Sequence, residues 1–165
     1  MPSLRQRAYR WLTLPLIFAF FISLTAISTL KAVVTTGDID ILHYEISLDF
    51  RDDSDEIRGD VTLSLRHPQQ NATLVLQLHG LTVDSCWVNQ KTVSFTHVDT
   101  LVTVNLPAEK HQSKVRLKYH GVPKDGLIIQ KNKHGRRAFF ADNWPNRAHF
   151  WFPSVDHPSD KATVS

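Results

Sequence analysis

At 165 residues the chain has room for one domain and a leader, and its formal charge of +3 with a sequence pI of 9.1 overstates its basicity. Arg5, Arg7 and Arg10 fall in the first ten residues; without them sixteen Lys and Arg face sixteen Asp and Glu, so charge gives no argument for nucleic acid. A single cysteine, Cys86, excludes an internal disulfide, and core burial alone can hold a domain of this size together.

The three arginines precede residues 11–27, which are apolar apart from Thr13, Ser23 and Thr25. A basic flank followed by an apolar run predicts an export signal, an apolar leader helix ahead of the folded domain. Small residues at Ala26 and Ser28 place a cleavage point before Thr29, making residues 1–28 a signal peptide. The alternative is an uncleaved membrane anchor reaching residue 31, since residues 11–30 match the roughly 20 needed to span a bilayer. Both alternatives put Met1 inside and the remainder outside, by the positive-inside rule. The protein is thus expected to be exported (secreted, periplasmic or at the cell surface), touching a membrane only if the leader stays. Residues 29–38 read as a short linker and 39–165 as one domain.

From residue 42 the pattern turns to period two. Leu42, Tyr44, Ile46, Leu48 and Phe50 alternate with polar neighbours, as a strand with one buried face does. After the polar turn at 51–55, Ile57, Gly59, Val61, Leu63 and Leu65 repeat the pattern, so the pair predicts a hairpin. Further strands are predicted at 74–78, at 83–89 and 93–97 about an Asn89-Gln90-Lys91 turn, at 101–106 and at 114–120. With no helical segment outside the leader, the fold class is all-β: an antiparallel sandwich of eight or nine short strands.

The last forty residues differ in kind. Pro145, Pro153 and Pro158 forbid one long helix, while Trp144, Phe150, Trp151 and Phe152 carry too much apolar area to leave in water. The segment is expected to be an extended connector docked on its own domain.

Chemistry is sparse. Cys86 beside Trp87 in a strand reads as a buried inert thiol rather than a nucleophile. Asp156-His157 could be half of a triad, but between two prolines a turn-forming, backbone-bonding Asp is favoured. Lys124, Lys131, Lys133, His134, Arg136 and Arg137 could make an anion site, although a solvated hairpin tip is the simpler reading. Asn71-Ala72-Thr73 is a glycosylation sequon wherever exported chains are glycosylated.

The run from Asp142 through Pro145, Asn146 and Arg147 to Pro153, Asp156, Pro158, Lys161 and Ala162 carries a Pro-x-x-Asp-x-Pro-x-x-Lys-Ala pattern. It resembles the end of the N-terminal, saddle-shaped β domain of aminopeptidase N-type zinc metallopeptidases, the gluzincins. Upstream, residues 40–50, Gly80-Leu81-Thr82-Val83 and 119–128 support the resemblance. In that family zinc is held by a His-Glu-x-x-His helix, whose carboxylate activates the metal-bound water. A Gly-x-Met-Glu-Asn segment grips the substrate amine. Neither motif occurs here, so the resemblance implies a chain truncated before the catalytic domain, without peptidase activity or a cofactor of its own. Its partners would be a zinc-bearing catalytic domain and a peptide at the shared cleft.

The family commonly places a Gln or Glu at the cleft edge, where it helps hold the substrate's amino terminus. That position, nine residues before Pro153, is Trp144 here. Asp142, two residues earlier and expected on the same side of an extended strand, is the better acceptor, leaving Trp144 as a wall of the first subsite. His149 stands where an arginine is common. A different class of function, a stand-alone sandwich binding peptide, glycan or protein, is the alternative.

Overall fold

A computed structural model describes residues 38–165 apart from Gln69 and Pro158. The leader helix, the proposed signal peptide, the linker up to residue 37 and one proline of the closing pattern lie outside the described residues. Among the described residues no helix is long and apolar enough to cross a membrane.

The domain is all-β, with eleven strands in three sheets among the described residues. β1 (Asp40–Phe50) and β2 (Ile57–Arg66) form the predicted hairpin, β2 with the predicted limits. β3 (Ala72–Gln77) passes to a second sheet, and β4 (Thr82–Val88) and β5 (Lys91–Thr92) return to the first. β6 (Phe95–Val98) and β7 (Leu101–Leu106) complete the second sheet, in the order β3-β7-β6. β8 (Gln112–Gly121) inserts between β2 and β4. With β11 (Thr163–Val164) the large sheet runs β11-β1-β2-β8-β4-β5. β9 (Leu127–Lys131) and β10 (Arg137–Ala141) are a separate hairpin.

Alternation explains the core. Val61, Leu63 and Leu65 of β2, Val115 and Leu117 of β8, and Cys86 and Val88 of β4 point to one face of the large sheet. Leu74 and Leu76 of β3 with Val102 and Val104 of β7 supply the facing layer, and all are buried in one cluster. The opposite face of the large sheet is charged and paired across strands: Arg116 Nε donates to Asp60 Oδ1 at 2.8 Å and His120 Nδ1 meets Asp84 Oδ1 at 2.8 Å. The guanidinium of Arg116 holds the Asp60 carboxyl below the usual carboxylate range.

Three expectations need correction. Among the described residues the strands number eleven rather than eight or nine. Beyond the seven strands placed along the sequence stand β5 and β11, two residues each and too short for any periodic signal, and β9 and β10, whose sequences do not alternate. The sheets are not wholly antiparallel, since β11 runs parallel to β1. The return along β4 ends at Val93, whose N donates to Cys86 O at 3.0 Å, and does not extend to residue 97. Asn89 and Gln90, both at positive φ, make a two-residue turn into β5, after which the chain crosses to the small sheet and β6 pairs with β7. Asn89 fixes this turn, its Oδ1 accepting from Lys114 N at 2.9 Å.

Tyr119 lies flat over Gly59, its cross-strand partner, and its hydroxyl is buried without a partner among the described residues. An orphaned buried hydroxyl is a cost, so Tyr119→Phe should leave stability unchanged or raise it by about 1 kcal/mol. Urea unfolding checks this; a clear loss would mean the hydroxyl has a partner.

Candidate functional site

The site is built by the turn that follows β10. Asp142 N donates to Gly126 O at 2.8 Å, closing the β9–β10 hairpin at its base. The Asp142 side chain then takes over: Oδ1 accepts from Trp144 N at 3.3 Å, and Oδ2 from Arg147 Nη1 at 3.2 Å. Arg147 also lies 3.6 Å from Asp125 Oδ1, so one guanidinium is shared by two carboxylates. Two further bonds brace the turn, Arg147 N to Asn143 O at 3.1 Å and Trp151 Nε1 to Asn143 Oδ1 at 2.8 Å. The Trp144-Pro145 peptide is cis, and Pro145 and Asn146 are exposed.

These contacts correct two expectations. Residues 142–144 are not an extended strand, because an Asp that bonds the backbone two residues on makes a turn. Trp144 is not docked either; it is 81% exposed. Asp142 remains 48% exposed. The turn therefore presents a large indole and a half-open carboxylate to the outside on a cross-braced frame.

Beyond the turn the segment is docked, as its aromatics demand. After a single 3₁₀ turn, Ala148–Phe150, the residues Trp151, Phe152, Pro153 and Ser154 are buried. Phe152 meets Tyr44 edge-on at 5.6 Å, and the Tyr44 hydroxyl accepts from Val155 N at 3.1 Å. Burial drives the Tyr44 phenol well above its ordinary range. Ser154 and Gln77 exchange backbone bonds of 2.8 and 3.0 Å, so the segment extends β3 at its free edge.

Asp156 is not a backbone-bonding turn residue. Its Oδ2 lies 2.6 Å from His149 Nδ1, both side chains 16% exposed, and the His149 ring packs 4.5 Å from Phe150. His157, its sequence neighbour, is exposed and turns to Ser159 Oγ at 2.7 Å, so the two do not form half of a triad. Lys161 is exposed. Sequence reasoning missed Asp125, although the Asp125-Gly126 pair is a turn signal, and missed Tyr44 as an anchor, which no local signal distinguishes from its strand neighbours.

Asp160 lies beside this segment. Its Oδ1 accepts from Ile41 N at 3.3 Å while Oδ2 is buried without a partner among the described residues. Burial raises its pKa, the Ile41 N–H opposes, and Asp40 adds to the rise. A carboxyl raised in the folded state favours folding while protonated, and that contribution is lost as pH rises through the folded pKa. Asp160→Asn should therefore raise the melting midpoint at pH 7 and leave it unchanged near pH 3, which paired thermal melts can check.

The remaining candidates do not converge on this turn. Cys86 is buried, and burial pushes its thiol up to about 11. The basic residues separate: Lys131, Lys133, His134 and Arg136 ring the exposed β9–β10 tip, but Arg137 turns inward to Asp55 and Ser54 O, and Lys124 lies along Gly80. Among the described residues no three His, Cys, Asp or Glu side chains converge to hold a metal ion, so these residues do not fit a zinc.

The family model for the peptidase M1 N-terminal domain matches residues 41–165. The chain belongs to that family. Among solved structures, the M1 zinc metallopeptidase of Deinococcus radiodurans is 28% identical at a TM-score of 0.62, covering 77% of this chain and 31% of that one. A mutant of the same enzyme bound to a Tyr-Ser-Ala substrate matches at a TM-score of 0.63, again 28% identical, with 77% and 31% covered. Leukotriene A4 hydrolase from Saccharomyces cerevisiae shares the fold at a TM-score of 0.70 and 19% identity, over 79% of this chain and 23% of that one. No curated protein matches. This M1 N-terminal domain thus spans about a third of its bacterial relative.

Proposed function

We propose that the chain is the non-catalytic N-terminal domain of an exported zinc aminopeptidase. It scaffolds the catalytic domain and completes the rim of its substrate cleft, the parent enzyme removing N-terminal amino acids from peptides. The observation that carries this reading is the contrast within one segment. Residues 151–154 are buried against the domain, whereas Trp144, on a turn braced by four hydrogen bonds, is turned out to solvent. A braced, exposed tryptophan is a costly surface for an isolated domain and a good anchor or wall for a partner. Membership of the M1 family supports a zinc-bearing module as that partner. The half-open Asp142 carboxylate is suited to an α-ammonium, which wants acceptors at hydrogen-bond distance. The basic and apolar composition of residues 1–27 supports export.

The test uses the full-length gene product. It should release free amino acids from unblocked peptides, lose that activity to a zinc chelator and regain it with zinc, while residues 39–165 alone release none. A full-length protein that folds, binds zinc and spares unblocked peptides would refute the proposal.

A further inference from the structure

We infer that Asp160 is a pH-sensitive fastener for the strap formed by residues 159–165, holding that strap on β1 in acid and loosening it as the carboxyl ionises. Little else holds the strap. β11 is two exposed residues long and Val164 is 63% exposed, so almost no apolar burial keeps it in place. Its other ties are polar: Ser165 N donates to Tyr44 O at 3.0 Å and Ile46 N to Ser165 O at 2.9 Å. The exposed His43 ring adds contacts of 2.7 Å to Thr163 Oγ1 and 3.0 Å to Ser165 Oγ. Asp160 anchors the near end, where its Oδ1 accepts from Ile41 N at 3.3 Å.

That anchor is lopsided. Oδ2 is buried and has no partner among the described residues, so an ionised Asp160 keeps charge out of water with a donor on one oxygen only. Its surroundings oppose ionisation. Asp40 of β1 and Asp156 of the closing segment line the same open cavity of about 610 Å³. The cations near those two are engaged with them, Arg66 at 3.5 Å from Asp40 and His149 at 2.6 Å from Asp156. From β3 and β7 the cavity receives only the uncharged Val75, Gln77 and Leu101, and the buried Tyr44 phenol is held uncharged. His157 and Lys161 are exposed, His157 turned to Ser159. Burial raises the Asp160 carboxyl above its ordinary 3.8, the Ile41 N–H holds it back, and Asp40 adds to the rise. The strap is therefore fully fastened below 3.8, and its hold falls as pH climbs through the higher value of the docked state.

Hydrogen exchange with mass readout on the full-length protein, run between pH 4 and pH 7 beside Asp160→Asn, decides the matter. Taking the ratio of wild-type to variant exchange at each pH largely cancels the intrinsic chemical rate, so its trend reports how often the strap opens. In residues 160–165 that ratio should rise severalfold from pH 4 to pH 7, while in β2 and β8 it stays nearly flat. Asp40→Asn keeps Asp160 and removes a neighbouring charge; its strap should exchange like wild type at pH 4 and more slowly than wild type at pH 7. This second comparison decides alone if Asp160→Asn does not fold. A strap ratio that is constant across the range would show that Asp160 fastens equally in both protonation states. A rise shared equally by β2 and β8 would show that the whole domain responds rather than the strap, and either result overturns the inference.

Discussion

Gly126→Ala should cost the domain at least about 3 kcal/mol and unfasten the turn that carries Trp144. Gly126 sits at φ +73°, where any L side chain is strained. Space is lacking as well. A Cβ there would interpenetrate the Arg147 carbonyl oxygen, with Arg147 C at 3.1 Å and Trp151 Cδ1 at 3.0 Å. Backbone cannot step aside as a flexible side chain can, so relief requires the 142–147 turn to lift. The loss should therefore be local before it is global: amide exchange in residues 142–151 should accelerate more than in β2 and β8. Hydrogen exchange with mass readout, beside urea unfolding, checks both parts. Uniform acceleration, or a loss below about 1 kcal/mol, would show that the turn is not held through Gly126.

Gly59→Ala should be as damaging, for a reason confined to packing. Gly59 stands at a core-facing position of β2 between Ile57 and Val61, directly across from Tyr119 of β8. The tyrosine ring occupies the volume a side chain would fill, and an added methyl would overlap its Cζ, hydroxyl and Cε1 atoms. Tyr119 is buried, so it has nowhere to swing, and overpacking a closed core costs about 1–3 kcal/mol or more. Tyr119→Leu in the Gly59→Ala background should recover part of the loss. A double-mutant cycle should show a coupling of about 1 kcal/mol or more between these touching sites. Additive effects would contradict the account.

Both glycines are visible in the sequence, but only one announces its role. Gly59 interrupts an apolar alternation, and glycine inside a strand marks a close approach. Gly126 follows Asp125 and reads simply as a turn; that a carbonyl from twenty-one residues on would rest against it is a tertiary fact. The same division runs through the fold. The β1–β2 hairpin and β7 were legible because one buried face gives period two, strict along β2 and β7 and broken in β1 by a bulge between Ile41 and His43. The place of β8 between β2 and β4 was not, since alternation specifies a face and not a neighbour.

At the candidate site the closing pattern located the segment, and the density of aromatics correctly demanded docking for Trp151 and Phe152. It misled for Trp144, because burial was inferred from composition while the Asp142 turn directs the indole outward. Asp156 was read as local, yet its partner His149 lies seven residues back, within the 3₁₀ turn. Short polar side chains can bond locally or across such a turn, and spacing does not choose between them.

The claim on which the rest depends is that the outward face of the 142–147 turn is built to meet a zinc-bearing module. Oxidative footprinting of tryptophans addresses it directly, comparing full-length protein with residues 39–165. Trp144 should label readily in the isolated domain and severalfold less in the full-length protein, while the buried Trp151 changes little. If Trp144 labels equally in both, that face stays free and the account is wrong.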